Sequence, residues 1–157
     1  MIQVETYKNM HTKYTMIRIL PMDKNDEFGG IEIPKLQSSF FLDELPKRKD
    51  ENGSEKYHYK KQGLIADDNQ TLVLFQYDNK IVACAELSNI IKFDKPKDGY
   101  SGALYFEPTL IKVFDAIDNQ QINNIFHCSI QFGQIKHKLD TAYLKNFFTQ
   151  LKNVKEV

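Results

Sequence analysis

The chain of 157 residues lacks an excess of either charge: 21 basic residues stand against 21 acidic ones, a formal net charge of +0. Any contact with nucleic acid therefore has to come from a local patch, which argues against a histone-like binder. Cysteine is scarce too. Cys84 and Cys128 both lie in apolar, strand-like runs, which suits reduced buried thiols in a cytoplasmic protein better than a secreted disulfide scaffold. No apolar stretch approaches the roughly 20 residues of a membrane span, so no membrane partner is expected, and MIQVETYKNM lacks the basic start and apolar run of a signal peptide. Internal repeats and low-complexity tracts are absent as well.

Catalytic signatures are equally thin. There is no G-x-G-x-x-G, P-loop or G-x-S-x-G motif, and His11, His58, His127 and His137 are scattered without metal-ligand spacing. His127 and Cys128 adjoin, but neighbouring strand residues point to opposite faces, so they do not make a nucleophile with its base. The carboxylates Asp43-Glu44, Asp67-Asp68 and Glu86 have no evident partner. Glu86 lies in one alternating set with Cys84 and Val82, which places it either exposed at a strand end or at the mouth of a pocket. No catalytic residue, metal site or cofactor is expected from the sequence, and an enzyme is the weaker hypothesis.

What is present is a composition of 41% hydrophobic and 27% charged residues, ordinary for one globular domain spanning 1–157. The most informative stretch is Thr71–Leu87, TLVLFQYDNKIVACAEL. It reads as two strands joined by Asp78-Asn79 and is apolar on both faces, as expected inside a barrel or sandwich. With Asp78 and Asn79 in a primed turn, Tyr77 should face Lys80, Phe75 face Val82 and Val73 face Cys84, while Leu74 with Ala83 and Leu72 with Ala85 form the other side.

Around this hairpin the order of elements is mostly β. Tyr14–Leu20 reads as a strand stopped by Pro21, Asp23–Gly30 as a loop, Ile31–Pro34 as briefly extended, and Leu36–Leu45 as either helix or strand plus turn. Pro46–Lys61, PKRKDENGSEKYHYKK, reads as a surface segment with an Asn52-Gly53-Ser54 tip, in which Tyr57, His58 and Tyr59 sit among Lys47, Arg48, Lys49, Lys56, Lys60 and Lys61. Cations for phosphates interleaved with rings for bases are what a nucleic-acid-facing loop uses, although a solvated loop has the same composition. Ser88–Phe93 continues as strand or loop and Asp94–Gly102 as a turn-rich connection. Ala103–Phe106, Leu110–Phe114 and Phe126–Phe132 read as strands, and Asp118–Asn124 as a polar loop. Asp140 or Thr141 caps a terminal helix carrying Leu144, Phe147, Phe148 and Leu151 at i, i+3, i+4 and i+7. The fold class is α+β, mostly β: a small curled sheet or barrel with the C-terminal helix packed on it.

The order "TLVLFQY, two-residue turn, KIVACAEL" resembles the central hairpin of the PUA-like superfamily, the small barrels that include PUA, ASCH, EVE, YTH and SRA domains. GYSGALYFEPTLIKVF resembles the next pair of strands in such barrels. IPKLQSSFFLDELP and YHYKKQGL, taken with the hairpin, also resemble the N-terminal DNA-recognition module of bacterial restriction endonucleases that carry an HNH nuclease domain. Two departures stand out. EVE and YTH cages commonly use tryptophan, which this chain lacks, so a cage would need Tyr and Phe; and nothing after Phe132 supplies the histidine and asparagine cluster of an HNH centre.

The resemblance implies a non-catalytic recognition domain of a restriction-type system, working with a fused or separate nuclease. It implies that DNA is held by its backbone while one base, such as methylcytosine, is flipped into a pocket at the barrel mouth. The pocket residues would be Ser38, Ser39, Phe40, Tyr77, Tyr100 and Tyr105, and the backbone contacts Lys47, Arg48, Lys49, Lys60 and Lys61. Two alternatives stand beside it: a small nucleoside-directed enzyme or ligand-binding barrel, and an RNA-binding module of the same fold.

Overall fold

The computed structural model describes residues 14–47, 55–59, 71–97, 100–106, 111–132 and 138–156, with the backbone alone for 26–27, 55–59, 88–94, 96–97, 100–105 and 138. Helix and strand mix in it, in line with the α+β class, and eight strands form one connected sheet among these residues. The strands are β1 (Met16–Pro21), β2 (Glu55–Tyr59), β3 (Thr71–Tyr77), β4 (Lys80–Lys97), β5 (Tyr100–Phe106), β6 (Lys112–Asp118), β7 (Lys138–Leu139) and β8 (Lys155–Glu156).

β4 organises the sheet because it belongs to two parts of it. Its first half pairs antiparallel with β3 on one side and β6 on the other, and its second half leaves both to pair with β5, which in turn pairs with β2. β1 runs parallel to β3, β7 pairs with β1, and β8 pairs with β6. The central part thus reads β7-β1-β3-β4-β6-β8, and a three-stranded ribbon, β2-β5-β4, continues from it.

The hairpin turn is of the expected kind, with Asp78 at φ 52° and Asn79 at φ 61°, values that short polar side chains tolerate. Its register departs from expectation by one residue. Tyr77 does face Lys80, but Gln76 pairs with Ile81 and Phe75 with Ala83, leaving Val82 as an extra residue on β4. A bulge of this kind puts two successive side chains on one side of the strand. Val82 and Ala83 accordingly both pack on face one with Val73, Phe75 and Ala85. Cys84 moves to face two with Leu72, Leu74 and Ile81, the reverse of the simple alternation.

Helices cover both faces. Over face one lies α1 (Lys24–Phe28), which replaces the expected loop and ends in Gly29 and Gly30 at φ 60° and 78°. It is followed by one helical run made of α2 (Ile33–Leu36), a π-helical stretch (Gln37–Glu44) and α3 (Leu45–Lys47). Pro34 sits in the first turn, where its missing N–H is no loss. Leu36, Phe40, Phe41 and Leu45 are the buried residues of that run. Their spacing of i, i+4, i+5 and i+9 falls on one stripe only when each turn is wider than the roughly 3.6 residues of an α-helix, which resolves the ambiguity of this segment in favour of a π-helix.

Face two is covered by α4 (Asn119–Phe126) and α5 (Leu144–Gln150). The expected polar loop at Asp118–Asn124 is in fact the start of α4, capped by a reciprocal pair in which Asp118 accepts from the Gln121 N–H and Gln121 from the Asp118 N–H. The expected strand Phe126–Phe132 is likewise absent. Phe126 ends α4, His127 turns left-handed at φ 53°, and residues 128–132 run beside the helix. Asn119 and Asn123, one turn apart, do for that segment what a neighbouring strand would: Asn123 Oδ1 accepts from the Ile130 N–H at 3.0 Å and Asn119 Oδ1 from the Phe132 N–H at 2.7 Å. At the C-terminal helix the sequence reading holds. Asp140 caps a short 3₁₀ turn (Thr141–Tyr143), and Leu144, Phe147 and Phe148 are buried on face two.

The bulge is secured from the helical side. Between Ile81↔Ile117 and Ala83↔Val113 the β6 strand advances four residues against two on β4, so carbonyls there lose their ladder partners. Gln37, the first residue of the π-helix, donates both N–H groups of its amide to this gap, to Val82 O at 2.9 Å and Phe114 O at 2.6 Å. Replacing Gln37 by Leu should destabilise the fold by about 2–4 kcal/mol, since two inward carbonyls lose their donors. Gln37→Glu should cost at least as much because it sets a carboxylate oxygen against them. Urea denaturation midpoints measure both, and a loss under about 1 kcal/mol for each would remove Gln37 from this role.

Candidate nucleic-acid interface

The sequence-derived pocket residues separate into two groups. Ser38, Ser39 and Phe40 lie on the π-helix and Tyr77 at the end of β3. Ser39 Oγ donates to Lys35 O at 2.6 Å and Ser38 Oγ to the same carbonyl at 3.3 Å, so both hydroxyls serve the helix itself. Phe40 is 2% exposed and Tyr77 0% exposed. Their rings meet on a shared partner, with Phe28 edge-on to Phe40 at 5.0 Å and to Tyr77 at 5.6 Å. The Tyr77 hydroxyl donates to Ile31 O at 2.7 Å. The two rings do come together, but as core beneath the α1–α2 connection, with no ring face open to stack on a base.

Tyr100 and Tyr105 belong to the ribbon instead. The pairing of β5 sets Tyr105 opposite Lys56 on β2 and opposite Asn89 on β4, Ala103 opposite His58 on β2 and opposite Ile91 on β4, and Tyr100 opposite Lys97. The basic segment is partly described. Lys47 ends α3, is exposed, and pairs with Asp43 one helical turn back at 2.7 Å. α3 packs beside β2, which brings that end of the helix to the ribbon. Arg48, Lys49, Lys60 and Lys61 lie outside the described residues. Sequence reasoning had also taken Glu55–Tyr59 as loop, where the structure has strand β2.

Lys92, Lys95 and Lys97 were missed by sequence reasoning. They occur in IIKFDKPKDG, where Pro96 and Gly99 read as a turn; in the structure β4 runs through them to Lys97, and Lys95 is exposed. The signal was the spacing of three lysines within six residues beside an apolar run.

Elsewhere the chemistry is structural. Among the described residues no group of three or more His, Cys, Asp or Glu converges. His127 is exposed and stacks on Tyr143, ring centroids 4.6 Å apart. Glu86, for which sequence alone left a strand end or a pocket mouth, is 5% exposed. It lies near Tyr14, whose hydroxyl is pushed well above its ordinary range, first by burial and then by the Glu86 and Cys84 charges. Cys84 faces Lys112 across the β4–β6 ladder. Lys112, 3% exposed, reaches Glu156 of β8 at 3.2 Å. Burial pushes the Cys84 thiol up to about 12, against the opposing pull of Lys112.

No protein-family model, curated protein or solved structure matches the chain, and among the described residues no helix is long and apolar enough to cross a membrane.

Three outcomes follow from the buried polar end of face two. A thiol reagent should label Cys128, which is half-buried, in the native protein and reach Cys84 only on unfolding. Because the folded thiol stays protonated while the unfolded one ionises near 9.0, Cys84 should draw stability down as pH rises from about 9 toward about 12. Cys84→Ala should flatten that slope in alkaline urea titrations, and an unchanged slope would refute it. Truncating Glu156 to Ala should cost about 1–2 kcal/mol by leaving the Lys112 ammonium alone, whereas Lys112→Met should be neutral or stabilising. Both are read from denaturation midpoints, and the reverse order would refute the pairing.

Proposed function

We propose that this chain is a DNA-recognition domain of a restriction-type system, a PUA-like module that works in the cytoplasm with a fused or separate nuclease and makes no covalent chemistry of its own. The observation that carries this reading is the register of the ribbon, which sets Lys56 of the basic, aromatic segment directly opposite Tyr105 while α3 brings Lys47 to the same strand. A cation beside a ring on one strand pair suits a phosphate and a base of the same nucleotide. The hairpin, apolar on both faces and covered on both, is compatible with the PUA-like resemblance. Modified bases such as methylcytosine are part of the same reading, with Tyr100 and Tyr105 as the rings left to hold them, since Phe40 and Tyr77 are occupied by the core.

With an overall charge near zero, binding should depend on a few phosphate contacts and be visible at low salt. Fluorescence anisotropy with a labelled 20-mer, duplex and single-stranded, methylated and plain, should show affinity falling at least tenfold between 50 and 200 mM salt, as expected for about two or more phosphate contacts. Absence of salt-sensitive binding to every one of these DNAs would overturn the proposal.

A further inference from the structure

We infer that Asp43 is a further determinant of nucleic-acid binding: its carboxylate holds Lys47 in the place of a backbone phosphate, so that DNA has to displace it. This rests on the nucleic-acid reading above and names a residue that governs its strength.

The pair is built by the helix itself. Asp43 lies near the end of the π-helical stretch and Lys47 is the last residue of α3, which follows it without a break. Side chains four positions apart on a helix are neighbours, and an acid ahead of a base is the favoured order. Lys47 Nζ accordingly reaches Asp43 Oδ1 at 2.7 Å. Lys47 also stands at the C-terminal end of the run, where carbonyls without intrahelical partners add a partial negative charge. Held in this way, the ammonium has little net charge to offer a phosphate.

The pair is nevertheless open and weak. Its side chains are 75% exposed for Lys47 and 61% for Asp43, so water screens the attraction, and both must give up rotamer freedom to hold it. The lysine stem is flexible and its ammonium turns readily to another anion. A DNA backbone, with its dense row of phosphates, presents one. The two anions cannot share the ammonium freely, because on one nitrogen they lie within a few ångströms of each other and repel. α3 packs beside β2, which carries Lys56 of the same basic segment. A ligand already held along that segment can therefore recruit Lys47 from Asp43, whereas an isolated phosphate meets the competing carboxylate unaided.

The test compares the whole chain with its Asp43→Asn variant, which keeps the shape of the side chain and removes its charge, by anisotropy with a labelled duplex at about 50 mM salt. Asp43→Asn should bind about 3- to 10-fold tighter, since it removes one weak competing pair and one repulsion. The slope of log affinity against log salt should steepen by up to about 0.9 as Lys47 gains a phosphate. In a Lys47→Met background the same substitution should change affinity by less than about twofold, because the competition it relieves is gone. Asp43→Ala, a better helix former, should reproduce the gain, and thermal unfolding by circular dichroism confirms that each variant folds. Unchanged affinity in folded Asp43→Asn and Asp43→Ala, or an equal gain with and without Lys47, would overturn the competition while leaving the recognition domain standing. No salt-sensitive binding of DNA by the wild type or by either variant would overturn both.

Discussion

The extra residue at Val82 is the constraint on which the rest of the structure depends. Without it, β4 would alternate regularly from the turn onward, Cys84 would join face one, and Ala83 and Ala85 would face α4 and α5. With it, the two alanines lie on face one among Phe75, Phe41 and Phe106, whose rings meet at 4.9 and 5.3 Å around Phe75. Small side chains on β4 leave room for that aromatic cluster and for the helical run above it. Bulges leave ladder groups unpaired, and here Gln37 supplies the missing donors from outside the sheet. The helix that covers face one and the strand irregularity beneath it are therefore one device.

The same strand then links stability to the proposed function. For its first half β4 is buried on both faces and held between β3 and β6; beyond Leu87 it pairs with β5 alone. The first half carries almost no polar side chain, and the second carries Lys92, Lys95 and Lys97. Rigid core at one end and a cation-bearing ribbon at the other is an arrangement in which a binding surface can vary without disturbing the packing that positions it. Tyr77 illustrates the opposite case. As a ring at a hairpin turn it has the look of a surface residue, but its hydroxyl closes on Ile31 O and its ring lies against Phe28, so it serves the core.

Sequence made the turn, the two apolar faces and the terminal helix legible, because each has a local signature: Asp78-Asn79 for a primed turn, an uninterrupted apolar run for a strand covered on both sides, and Leu144, Phe147 and Phe148 at helical spacing. α4 was legible in principle too. Asp118 and Gln121 form a capping pair, and Ile122, Ile125 and Phe126 follow at i, i+3 and i+4, but the polar residues between them weighed toward loop. The bulge was not legible, since nothing local distinguishes Val82 from its neighbours, and the side chain that caps its carbonyl, Gln37, is 45 residues away. Nor was the fate of residues 128–132, whose backbone is satisfied by two asparagine side chains and not by a strand.

The candidate site was the least legible part, for the same reason. Rings in a sequence carry no mark of which side of the sheet they serve, and the pocket drawn from Ser38 to Tyr105 mixes both. Burial removes Phe40 and Tyr77, and register sets Lys56 of the distant β2 and Asn89 of β4 opposite Tyr105, a pairing that spacing along the chain does not announce.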